Sequence, residues 1–177
     1  MTTRLKTAKE IIILKEGGKR HAQILAELAT LVKPGVSTLV LEEQARALIA
    51  AMGDKPAFLG YKPKGARRPF PAALCLSINN EIVHGIPNEV ERLIQEGDLV
   101  SLDLGLIHKG LITDSAITVA CGAADDEGRE LIQICKEALQ RGIEAAKPGN
   151  TTGDIGAAIS AVVDKTKFSL AEDLAGH

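Results

Sequence analysis

Cysteine is scarce and scattered in this chain: Cys75, Cys121 and Cys135 are odd in number and form no CxxC pair. That excludes a disulfide framework and a zinc knuckle, and a reducing cytoplasm is the setting that fits. An excess of one charge is also missing. The 177 residues carry a formal net charge of -2, with 25% charged and 45% hydrophobic residues, so neither a nucleic-acid-coating protein nor a disordered one is described, and no specific DNA contact is expected. Long apolar runs are absent as well. The longest near the N-terminus, Ile11 to Leu14, is closed by Lys15 and Glu16, too short for a signal peptide and far too short to span a bilayer. No segment is of low complexity. A soluble, cytoplasmic chain of one domain, residues 1–177, is the expectation.

What is present is a repeated helical grammar. Thr7 with Glu10 forms a capping box, after which Leu14, His21, Ile24, Leu25, Leu28 and Val32 recur at helical steps until Lys33-Pro34-Gly35. Ser37 and Thr38 offer N-caps for a second helix through Glu42, Ala45, Leu48 and Ile49, ending near Gly53. The pattern returns downstream. A helical run from Glu130 to Ala146 meets Lys147-Pro148-Gly149, then Thr151-Thr152 and a helix from Asp154 to Val163, so KPGVST and KPGNTT mark two copies of one αα unit. Their separation is no solenoid period, and the expectation is a pseudo-twofold arrangement in which each pair covers part of a sheet. Asp125-Asp126-Glu127 reads as a solvated lead-in to a helix.

Between the copies lies a β region. Residues 54 to 71, with four prolines and two glycines, read as an irregular loop. Leu74 to Val83 reads as a strand that runs into His84 within SINNEIVHGIPN, and the residues leave open whether His84 fills a core or presents its imidazole from the strand end. Leu99 to Ile107 and Leu111 to Val119 read as a hairpin turning at His108-Lys109-Gly110.

Two carboxylates interrupt these apolar strands: Asp103 in LVSLDLGLI and Asp114 in GLITDSAITV. With His108 and Lys109 as turn residues, the pair faces directly across the hairpin, β-carbons roughly 4.5 to 5.5 Å apart; a two-residue offset keeps them neighbours, a one-residue slip separates them by face. Opposed like charges destabilise a hairpin and need a counter-charge. One aspartate alone would ordinarily face solvent or pair with a base. Two together, near an imidazole, point to a divalent cation, with Mg, Mn, Fe(II), Co or Zn as hard-oxygen candidates.

Taken together, EIIILKEGGKRHAQIL, KPGVST, FPAALCLSINNEIVHGIP, GDLVSLDLGL, Thr113-Asp114 and the terminal Gly176-His177 resemble type I methionine aminopeptidases, M24-type metallopeptidases of the pita-bread fold. The resemblance runs over nearly the whole chain. It implies an α+β fold, a curved antiparallel sheet covered by two pseudo-symmetric helix pairs. It also implies that Asp103 and Asp114 ligate two divalent ions (Co, Mn, Fe(II) or Zn), with Asp114 bridging, and that His177 is the imidazole ligand of a GHGxG motif. His84 would hydrogen-bond the substrate or its tetrahedral intermediate, and Phe70 and Cys75 would line the methionine pocket, where phenyl and thiol groups suit a polarizable thioether. The implied reaction is removal of initiator methionine from nascent polypeptides through a metal-bound hydroxide, by a monomer, with the ribosome surface as a further partner.

The same resemblance implies five ligands, and the chain stops at His177 before two glutamates. The second half of the fold is then incomplete, and the 177-residue polypeptide alone is expected to bind metal poorly and to lack peptidase activity. A proline-directed aminopeptidase of the same fold and a non-catalytic pita-bread binding module are the alternatives. Among the remaining residues, His21 reads as a packed or partly exposed helix residue and not a ligand, His108 as a turn residue, and Cys121 and Cys135 as structural. The loop KPKGARR is longer than the resemblance leads one to expect. Its Lys62, Lys64, Arg67 and Arg68 are solvated, alter the pocket rim, or meet an acidic partner or ribosomal RNA.

Overall fold

The computed structural model describes residues 4–171 and Leu174. The chain forms two compact units, one ending at Ala124 and the other beginning at Asp125. The first opens with helix α1, Ala8–Leu31, whose N-cap Thr7 accepts from the Glu10 amide while Glu10 returns to the Thr7 amide. Helix α2, Thr38–Ala51, follows across the KPG turn and is capped by Ser37.

Four strands then form one antiparallel sheet: β1 Lys55–Pro56, β2 Leu74–Ile78, β3 Leu99–His108 and β4 Leu111–Ala120. Strand β4 pairs with β3 along its whole length, while β2 and β1 occupy successive stretches of the other edge. The loop expected over residues 54 to 71 thus contains a short edge strand, where a proline is tolerated because its missing N–H faces away from the ladder.

Alternation along β3 divides the sheet into two faces. Val100, Leu102, Leu104 and Leu106 are fully buried and join Leu74 and Leu76 of β2 with Ile24, Leu25 and Leu28 of α1 and Leu41, Ala45 and Ile49 of α2 in one core. The intervening residues point the other way.

The hairpin differs from the expected one in its turn. Lys109 and Gly110, both at positive φ (48° and 82°), are the two loop residues, and His108 is the last residue of β3, paired with Leu111. Positive φ at both central positions matches the twist of the flanking strands. His108 is no turn residue. Its side chain is buried, with Nδ1 2.7 Å from Asp54 Oδ1 and Nε2 3.3 Å from the Glu16 carboxylate.

In the second unit, helix α3 spans Asp126–Ala145 and α4 Thr152–Val163. Asp125 is the N-cap of α3, accepting from the Gly128 amide at 2.7 Å, so this helix begins four residues before the expected Glu130. Thr151 caps α4 with a capping box to Asp154. The repeat is real at the level of local geometry: Gly35 and Gly149 both take positive φ, and Ser37 and Thr151, at equivalent places in KPGVST and KPGNTT, both cap the following helix.

Candidate functional site

The register sets which side chains share the face opposite the helices. Asp103 pairs with Ala116, and Asp114 with Gly105, so the aspartates do not stand directly opposite as expected; they are diagonal neighbours on one face. The two-residue offset follows from the Lys109-Gly110 turn. Diagonal neighbours lie about 7 to 8 Å apart, which lowers their repulsion and leaves room for a cation. Asp103 is half-buried and Asp114 exposed.

Cys75 of β2 faces Asp103 on the other side of β3. Burial pushes its thiol up to about 12, with the negative charges of Asp103, then Asp114, then Glu42 adding to the effect. The row Cys75, Asp103, Asp114 is therefore felt electrostatically in the order the register sets. A thiol held protonated packs as a small polarizable apolar group.

An aromatic wall closes this face toward β1. Gly105 sits between the aspartates in the register, and a β-carbon there would lie 2.6 Å from Phe58 Cε1 and 2.8 Å from Ala57 Cβ. The phenyl ring of Phe58 thus lies directly over the glycine that faces Asp114. Phe70 meets it edge to face, ring centroids 6.4 Å apart at 86°. Phe58 escaped the sequence reading. A signal was there, since a glycine inside an apolar strand marks a close approach of something else.

His84 reaches the opposite side of β2 by a route the sequence reading did not foresee. The strand does not run to Val83; it stops at Ile78, because Asn79 takes φ 55°. Asn79 then exchanges bonds with Leu99, its amide donating to the Leu99 carbonyl and its Oδ1 accepting the Leu99 amide. The chain loops back, and Gly85 lies along the outer edge of β2, accepting from Leu76 N–H at 2.9 Å and donating to Ser77 Oγ at 3.1 Å. Only glycine fits there, since a β-carbon would collide with the Leu76 carbonyl. His84 itself holds φ 61°, a conformation costing about 1 to 3 kcal/mol that concentrates at functional sites. Arg92 braces the loop, donating to Glu81 Oε1 at 2.7 Å and to the Leu76 carbonyl at 3.3 Å. A surface groove of about 430 Å³ lies here, lined by His84, Ile86, Glu89, Val90 and Arg92 among others. From β4 outward the order is Asp114, Asp103, Cys75, and then the His84 loop.

The other histidines of the described residues belong to the helix face. His21 is buried, Nδ1 3.1 Å from Thr113 Oγ1 and Nε2 3.3 Å from Ser115 Oγ, and burial lowers its pKa. His108 faces the same way. Their parity removes both from the carboxylate row. His177, the expected imidazole ligand, lies outside the described residues, and among those residues no group of three or more His, Cys, Asp or Glu is placed to hold a metal ion. Two carboxylates on one face are what the described chain offers, and their hard oxygens suit a divalent cation as part of a larger ligand set. No helix among the described residues is long and apolar enough to cross a membrane.

Comparison with known proteins converges on one family. The profile of metallopeptidase family M24 matches residues 13–177. The methionine aminopeptidase of Aquifex aeolicus is 45% identical over 177 residues, all of this chain and 68% of its own length. Among solved structures, methionine aminopeptidase from Thermotoga maritima is similar with a TM-score of 0.85 and 34% identity, over 93% of this chain and 63% of that one. The Xaa-Pro dipeptidase from Bacillus anthracis shares the fold, with a TM-score of 0.76 at 24% identity over 91% of this chain and 42% of that one. The chain spans 62 to 68% of the length of the curated relatives it matches first.

Proposed function

Because this chain belongs to metallopeptidase family M24 and has the pita-bread fold, we propose that the protein carrying it is a methionine aminopeptidase, hydrolysing the bond after the initiator methionine of nascent polypeptides in the cytoplasm, as a monomer. The observation that carries this reading is the placement of Asp103 and Asp114 on one sheet face, with Cys75 opposite Asp103 and Phe58 over Gly105.

Asp103 and Asp114, together with His177, would hold the metal. Two divalent ions there supply Lewis-acid polarisation of the scissile carbonyl and a more acidic water; Co, Mn, Fe(II) and Zn all suit a carboxylate and imidazole shell. The remaining work belongs to the chain. Cys75, Phe70 and Phe58 receive the methionine side chain, a protonated thiol and two phenyl rings against a thioether. His84, fixed through the Gly85–Ser77 bond, hydrogen-bonds the substrate carbonyl as it becomes an oxyanion. The aromatic wall keeps water from the apolar side of the bond.

The test is release of free methionine from Met-Ala-Ser by the whole protein with Mn²⁺ or Co²⁺. Asp114→Asn is expected to lower kcat/KM by at least about 10³, and His84→Ala to lower kcat by about 10² to 10³, the range seen for lost oxyanion donors. Activity that survives Asp114→Asn, or that acts only on Xaa-Pro peptides, refutes the assignment.

A further inference from the structure

The carboxylate site leaves one motif unused, the basic loop at residues 61–69. Its ends are pinched together by two backbone bonds, Gly60 N–H to the Phe70 carbonyl at 2.9 Å and Phe70 N–H to the Tyr61 carbonyl at 2.8 Å. A further turn, Ala66 N–H to the Pro63 carbonyl at 3.0 Å, shapes its tip. The loop contributes nothing to the core, and Lys62, Lys64, Arg67 and Arg68 are all exposed. Two fastenings define where it stands. One is Phe70, the second ring of the aromatic wall. The other is the ion pair between Arg68 and Glu89, a carboxylate of the groove that also holds His84.

The loop is thus joined at Phe70 to the aromatic wall and at Glu89 to the groove of His84, and in the aminopeptidase reading a substrate held by both would have its downstream residues beside the loop. Three cations stand on the loop there without an anionic partner among the described residues: Lys62, Lys64 and Arg67. The fourth, Arg68, pairs with a side-chain carboxylate, Glu89, an example on this loop of the chemistry the other three can engage. An extended RNA is a poorer match. Three cations neutralise few phosphates and give only a small counter-ion term, whereas two or three carboxylates of a peptide match them in number.

We propose that the loop at residues 61–69 is a specificity element, in which Lys62, Lys64 and Arg67 engage acidic side chains of the substrate downstream of the cleaved bond. The inference rests on the aminopeptidase reading and adds to it a preference among substrates. The effect is electrostatic and solvent-exposed, so each pair contributes modestly and the sum is salt-sensitive.

The experiment compares Met-Ala-Ser-Glu-Glu-Glu with Met-Ala-Ser-Gln-Gln-Gln as substrates of the whole protein, wild type and Lys62→Ser/Lys64→Ser/Arg67→Ser. The expected result is a KM about 5- to 10-fold lower for the acidic peptide at 50 mM salt, with kcat equal. That preference vanishes in the triple variant and at 0.5 M salt, while hydrolysis of the glutamine peptide is unchanged. An unchanged thermal midpoint in the variant confirms that it folds. Equal KM values in the wild type, or a preference that outlives the triple substitution, overturn the proposal and leave the aminopeptidase reading standing. So does a result in which the triple variant loses affinity for a uridine 20-mer and no peptide preference exists, since the loop is then an RNA contact. Hydrolysis of neither peptide removes the aminopeptidase reading itself, and this inference with it.

Discussion

Single residues in this chain are set apart by what surrounds them more than by their type. Cys75, Cys121 and Cys135 are all free, but Cys75 and Cys121 are buried with thiols pushed upward by burial, and Cys135 is exposed. A thiolate is the reactive species, so a chromogenic disulfide reagent at pH 8 is expected to label Cys135 within seconds and the other two only on unfolding. Rapid labelling of Cys75 would contradict its burial beside Asp103. His21 makes a second residue-scale case. Its pKa is lowered from 6.5 by burial, against an opposing pull from Asp114. Below pH 6.5 the unfolded chain takes up a proton that the folded chain resists, so stability falls as pH drops below about 6.5. His21→Leu is expected to flatten that part of the Tm against pH curve, and an unaltered slope would place the acid sensitivity elsewhere. The helical stripe marked His21 as a packed or partly exposed helix residue, and the structure makes it buried; no pattern marked His108, whose side chain lies against Asp54 and Glu16 from other parts of the chain.

At the scale of elements, the β3–β4 hairpin decides the site. A loop of two residues could be drawn as His108-Lys109 or Lys109-Gly110, and the sequence alone leaves both open; the positive φ that a twisted hairpin requires selects the one containing glycine. The choice shifts the register by two residues, which preserves the shared face of Asp103 and Asp114 and changes only their separation. Gly105 then acquires its role as the floor under Phe58. Gly105→Ala is expected to leave the hairpin paired but displace the ring, since the new β-carbon would sit at 2.6 Å from Phe58 Cε1. We expect KM for methionyl peptides to rise by about 10-fold, an effect of roughly 1.4 kcal/mol on binding, with kcat changed less; unaltered KM would remove Phe58 from the pocket. The length of β2 was misjudged for a related reason. Ile82 and Val83 favour an extended reading through to His84, yet residues 79 to 81 are Asn-Asn-Glu; Asn79 satisfies the Leu99 amide with its own side chain and takes positive φ, and that local alternative ends the strand.

For the molecule as a whole, metal is expected to act as a native-state ligand. Mn²⁺ at 100 times its Kd stabilises a protein by about 2.7 kcal/mol, so the Tm of the whole protein should rise with added metal and the rise should disappear in Asp103→Asn/Asp114→Asn. A metal-independent Tm in the unsubstituted protein would argue against a structural role for the ion. By itself the sequence determined that four helices exist, the caps of α1, α2 and α4 and the duplicated KPG turns, because capping and apolar periodicity act within a few residues; the start of α3 at Asp126, capped by Asp125, it missed. It also determined that Asp103 and Asp114 share a face, because strand parity survives a two-residue error. Only the tertiary structure decided that His84 stands on a returning loop held to the edge of β2, and that it is Phe58 that covers Gly105. Both depend on groups distant in sequence finding one another; a glycine in a strand can mark that something approaches, but no local pattern names the partner.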